Sequence, residues 1–185
     1  MHPRRKLYSL FVLLILTIFA LSCGQMGEAN KLIEEGNASV REAEKSGQDA
    51  DAKINQLVEA LDGFPENRDQ LKTTAQETID LLDKGIAKLR DASKKFDEGS
   101  KKNIDAALKE YLSVKSQEYG KHAEHFETVK QIPQAMMDTA IEDSDALQTK
   151  FMQISERVEQ LKKEWTDLGA RADKIYEANK SKFQS

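Results

Sequence analysis

The feature that most limits how this chain can fold is the spacing of its apolar and small residues. Ile33, Gly36, Val40, Ala43, Gly47, Ala50, Ile54, Leu57 and Leu61 recur at alternating steps of three and four. That is a seam of period about 3.5, the stripe that one helix lays against another. A strand would alternate every second residue, and no stretch of the chain does. Each seam is a single apolar stripe, so each helix needs a partner helix to cover it.

The seams are punctuated. The first stops at "DGFPEN", residues 62–67, where Gly63 suits a helix terminus and Pro65 a first turn. The second runs through Leu71, Ala75, Ile79, Leu82, Ile86, Leu89, Ser93 and Phe96 to "FDEGSKKN", residues 96–103. There Gly99 and Ser100 are placed to end one helix and cap another. The phase also slips, because Phe96 and Ile104 are eight residues apart. A third seam follows from Ile104 through Leu108, Tyr111, Lys115, Tyr119, His122 and Phe126 to Val129, and Pro133 interrupts it. The last seam extends from Met137 to Ile175 through Leu147, Phe151, Ile154, Val158, Leu161, Trp165, Leu168 and Ala172.

Two all-α architectures satisfy this pattern. If Gly99–Ser100 is a turn, residues 29–185 form an up-down four-helix bundle with coiled-coil-like heptads, the last helix longest. If the slip is a stutter, residues 66–131 form one very long middle helix of an extended three-helix coiled coil. The bundle is preferred, since a Gly-Ser pair is costly inside a helix. The small residues of the first seam predict close approach by bulky partners. In an antiparallel first-to-last pairing, Phe151 would lie near Gly47 and Ala50, and Trp165 near Ile33.

Composition agrees. Charged residues make up 32% and aromatics 6%, with three prolines, which is the balance of a helix-rich chain. One cysteine allows no internal disulfide, so packing alone must hold the fold. The formal net charge is −4, but residues 1–22 carry three bases and no acid. The remainder has 25 basic against 32 acidic residues, a surface that disfavours nucleic acid.

That lone cysteine follows the one long apolar run. Residues 2–6, "HPRRK", are cationic, and residues 7–21, "LYSLFVLLILTIFAL", are apolar apart from Ser9, Thr17 and the Tyr8 hydroxyl. As a helix the run covers about 22 Å, short for a hydrocarbon core of about 30 Å and suited to a signal-peptide core. Small Ser22 then precedes Cys23. This segment resembles the precursors of bacterial lipoproteins. The resemblance implies cleavage between Ser22 and Cys23 and a diacylglycerol on the Cys23 thiol. The usual box has Leu three before the cysteine and a small residue two before; Ala20 and Leu21 stand the other way round. Residues 1–22 are thus read as signal peptide, 23–28 as a lipidated tether of at most about 20 Å, and 29–185 as the helical domain. Two or more acyl chains would give stable attachment. Gly24 stands where an Asp would resemble an inner-membrane retention signal, which favours the outer membrane of a bacterial envelope.

Chemistry-bearing residues are few. In "EYGKHAEHFE", residues 118–127, Glu118, His122 and His125 share a helix face and are ligand types for zinc, copper or nickel. The simpler reading makes His122 part of the seam and His125 a solvated polar residue. "DTAIEDSDA", residues 138–146, lacks the ligand spacing of a calcium loop and reads as a solvated helix face. The Trp165 and phenylalanine stripe reads first as core and second as a groove lining. Nucleophile elbows and phosphate-binding glycine loops are absent from the sequence. No cofactor and no catalytic residue is expected. The sequence therefore predicts a lipid-anchored envelope lipoprotein acting as a non-catalytic binding or scaffolding module, with a protein partner or self-association. The alternatives are a metal-binding or sensing protein using His122 and His125, and a chaperone-like helical clamp.

Overall fold

The computed structural model describes residues 3–61, 66–137 and 144–183, with side chains described for 24–61, 66–137, 148–181 and 183. It contains α1 (Pro3–Ala60), α2 (Arg68–Ser100), α3 (Ala106–Met137), α4 (Ser144–Ala178) and a short α5 (Lys180–Phe183). The architecture is an up-down four-helix bundle, with no strand among the described residues. Within residues 29–185 the last helix is the longest, as expected, while α1 itself begins upstream of that range at Pro3. Among the residues whose side chains are described, no helix is long and apolar enough to cross a membrane.

The chain turns at residues 101–105, so the single long middle helix is overturned. Its capping differs from the expected one. Ser100 Oγ donates back to the Asp97 carbonyl at 2.7 Å, and Asp105 Oδ1 caps α3 by accepting from the Ala107 amide at 2.8 Å. Gly99 is a buried helical residue whose missing side chain admits Leu112; a Cβ there would stand 3.1 Å from Leu112 Cδ1. Pro133 does not end α3 either. It lies buried inside the helix, which continues to Met137. At the other end of the bundle, Asn67 Nδ2 donates to the Ala60 carbonyl at 2.5 Å, which ties the start of α2 to the end of α1.

Interhelical ion pairs track the antiparallel register. Lys53–Glu77 at 2.6 Å and Lys88–Glu42 at 2.8 Å step along α1 and α2, and Lys102–Glu28 at 2.7 Å ties the α2–α3 turn to α1. Lys130–Asp83 at 2.6 Å joins α2 to α3, and Arg171–Glu110 at 3.0 Å joins α3 to α4. Exposed pairs of this kind contribute little each. The stabilising term is the core. Its larger part unites Val40, Ala43 and Ala50 of α1, Leu82, Leu89 and Phe96 of α2, and Leu112, Ala123 and Phe126 of α3. A smaller cluster of Leu57, Leu71, Ala75 and Met136 closes the far end, with Phe151 of α4 against it.

The glycines of the first seam do receive bulky partners, but from α2 and α3. Gly36 faces Phe96, and Gly47 faces Phe126. Phe151 and Trp165 do not fill those gaps. Consecutive helices pack along their lengths, whereas α1 and α4 share no continuous interface. The expected first-to-last pairing is replaced by an open seam.

Candidate functional site: the cleft between the first and last helices

That open seam holds a cleft of about 450 Å³. Leu82 of α2, Phe126 and Val129 of α3, and Val158 of α4 give it apolar walls. Its rim is charged: Glu44 and Asp51 come from α1, and Glu159 and Lys162 from α4. Gly47 lines it as well, because the absent side chain leaves Phe126 reachable. A cavity of this size, apolar with a few converging polar groups, has the form of a binding site.

His122 and His125 both line the cleft. The His122 ring stacks on Trp165, with centroids 4.4 Å apart and planes 10° apart. Its edge meets Phe126 at 4.9 Å and 85°. His125 lies 5.9 Å from His122, centroid to centroid. Burial, together with the neighbouring His125, lowers the His122 pKa from 6.5 to about 4. Burial also lowers that of His125, against the pull of Asp51. Both imidazoles are neutral near pH 7. The Nδ1 of His125 and the Nε1 of Trp165 are buried with no hydrogen-bond partner. Buried polar atoms are seldom left so.

Glu118 shares the face but not the site. Its carboxylate pairs with Lys115 at 2.8 Å, and both side chains are nearly buried. It abuts α4 at Gly169, where a Cβ would stand 3.3 Å from Oε1. Burial pushes the Glu118 carboxyl up, against the pull of Lys115. Burial disfavours the Lys115 charge, yet Tyr119 and Glu118 hold its ammonium above the usual lysine range. The ammonium lies 4.5 Å from the centroid of the Tyr119 ring. The three candidate ligands thus go to different partners, and among the described residues no group of three or more His, Cys, Asp or Glu is placed to hold a metal.

Trp165 is half-buried and lines the cleft, stacked on His122, while Met136 is core. Side chains of the acidic stretch 138–146, and of Ser22 and Cys23, lie outside the described set. Sequence reading missed Glu44, Asp51, Glu159 and Lys162. Their only signal is a polar strip beside each seam, at the same three-four spacing, and such strips normally face solvent. The chain matches no protein-family model, no curated protein and no solved structure.

Proposed function

We propose that the protein is a lipid-anchored bacterial envelope lipoprotein, non-catalytic, whose helical domain binds a protein partner close to the membrane. The observation that carries this reading is the placing of Cys23 between the apolar run 7–21 and the first packed turn of the bundle. Packing begins almost at once after it. Gln25 Oε1 accepts from the Asn103 amide at 2.5 Å, Met26 lies against the core, and Ala29 is fully buried. With lipid on Cys23, only Gly24 would separate the anchor from these contacts. The α2–α3 turn would then stand at the membrane, and the far end of the bundle, near Leu57 and Leu71, would point away. Gly24 favours the outer membrane as the destination.

Binding, rather than scaffolding by shape alone, is supported by the α1–α4 cleft. A helical clamp for unfolded proteins would also use an apolar concavity, but a rim bearing Glu44, Asp51 and Glu159 favours a partner of matching charge. The histidines are engaged with aromatic rings, which favours binding over metal sensing.

The test is intact mass and membrane partitioning of the expressed precursor beside Cys23→Ala. A cleaved, diacylated product that reaches the membrane only with Cys23 present supports the reading. An unmodified product that stays in the membrane makes residues 7–21 a permanent anchor and overturns the lipoprotein assignment.

A further inference from the structure

The α1–α4 seam continues past the cleft, and what lies along it points to an occupant. Val58 is seven residues beyond Asp51, and Met152 is seven before Glu159. Seven residues are two helical turns, so each extends one rim strip in register. Because α1 and α4 run antiparallel, both extensions lead toward the same end. Val58 and Met152 are also strongly exposed for large apolar side chains, at 55% and 56%. From Glu44 to Val58 the seam therefore runs about 21 Å, or four turns of helix. It has an apolar floor, apolar shoulders at one end, two acids on the α1 side and one acid beside Lys162 on the α4 side.

We infer that this seam docks an amphipathic helix of a partner protein, with an apolar stripe flanked by Lys and Arg, lying in the place a bundle would normally give to α1–α4 contact. The inference rests on the binding-module reading and names the chemistry of the partner. Apolar residues of the incoming helix at steps of three and four cover Phe126, Val129 and Val158 and reach Val58 and Met152. Its basic flanks meet Glu44 and Asp51 on one side and Glu159 on the other, with Lys162 the opposing charge. A small amine would fill the cleft but would leave Val58 and Met152 bare. A second copy of this chain would bring a surface with excess acid to an acidic rim, a mismatch in charge.

Trp165 is the only tryptophan, so its emission reports the cleft directly. The full chain in detergent is titrated with four tryptophan-free probes. These are an 18-residue Leu-striped helix with Lys flanks, the same stripe with Glu flanks, a scramble of the Lys peptide, and spermidine. The Lys-flanked helix is expected to shift Trp165 emission with saturation in the micromolar range. Asp51→Lys with Glu159→Lys should weaken it at least tenfold, and Val58→Ser with Met152→Ser severalfold, while melting temperatures stay unchanged. Equal response to the scramble or to the Glu-flanked peptide overturns the proposal, as does no response to any peptide. Saturation by spermidine alone makes the cleft a small-cation site. Self-association abolished by Val58→Ser assigns the seam to a second copy. Cys23→Ala run in parallel separates the two claims: loss of membrane anchoring leaves the titration intact, and a failed titration leaves anchoring intact.

Discussion

The ring of Phe126 occupies the space that a side chain at Gly47 would need: a Cβ on Gly47 would stand 2.6 Å from Phe126 Cζ. On its other side the ring meets Gly85, where a Cβ would stand 2.7 Å from Cε2. One aromatic side chain from α3 is thus wedged between glycines of α1 and α2. Neither helix can gain a methyl without displacing a buried ring.

Gly47→Ala should therefore destabilise the fold by about 1–3 kcal/mol, although alanine is the better helix former. In a domain of this size that lowers the melting temperature by several degrees, on the order of 2–4 °C per kcal/mol. Gly120→Ala is the control. Its Cβ would meet only Ser93 Oγ at 3.6 Å, so helix propensity should dominate and raise stability by roughly 0.5–1 kcal/mol. Thermal melts that show the same sign for both variants would remove the wedge.

His122 makes the fold sensitive to mild acid. Its folded pKa, about 4, lies below the ordinary 6.5, so the native state binds fewer protons than the unfolded state between those values. Stability is complete above pH 6.5 and falls as pH drops toward 4, by a total on the order of 3 kcal/mol. His125 is lowered too and adds in the same direction. Glu118 is shifted upward and acts oppositely, favouring the folded state as it protonates. Urea midpoints from pH 7 to 4.5 should decline in the natural chain and decline less in His122→Phe, which keeps a ring on Trp165. Parallel declines would show that His122 is not the titrating group.

Lys115 and Glu118 form an ion pair that is more expensive to break than to delete. Lys115→Met leaves the Glu118 carboxylate nearly buried without its partner and should cost about 3–5 kcal/mol. Lys115→Met with Glu118→Gln should recover most of that loss. A double variant no more stable than Lys115→Met would mean that the lysine acts through packing on Tyr119 and not through charge.

Asp105 starts α3 by capping the Ala107 amide. Asp105→Ala should cost about 1 kcal/mol, and Asp105→Asn clearly less. Ser100→Ala should cost less than Asp105→Ala, since Ser100 bonds back into α2. Chemical denaturation of the three variants decides which residue is the cap.

Much of the bundle was legible in the sequence, and the reason is periodicity. Val40, Ala43, Ala50 and Leu57 of α1, and Leu71, Ala75, Leu82, Ile86, Leu89 and Phe96 of α2, are seam positions and are buried. α3 was read less well. It packs against α2 on one side and α4 on the other, so Leu112, Val114 and Ala123 are buried outside the single stripe the sequence suggested. Residues with two covered faces lose the contrast on which a one-stripe reading depends.

The sequence by itself determined that the described chain would be helical, which face of α1 and of α2 is buried, and that tight glycines would face bulky side chains. Those follow from spacing and side-chain volume, which are local properties. Which ring fills which gap was decided only by the tertiary structure, because Phe126 and Phe151 are equally good plugs for Gly47 until the order of packing is fixed. The same holds for the cleft. Glu44, Asp51, Glu159 and Trp165 come from helices remote in sequence, and they line one cleft because the helices pack in order from α1 to α4 while α1 and α4 share no continuous interface.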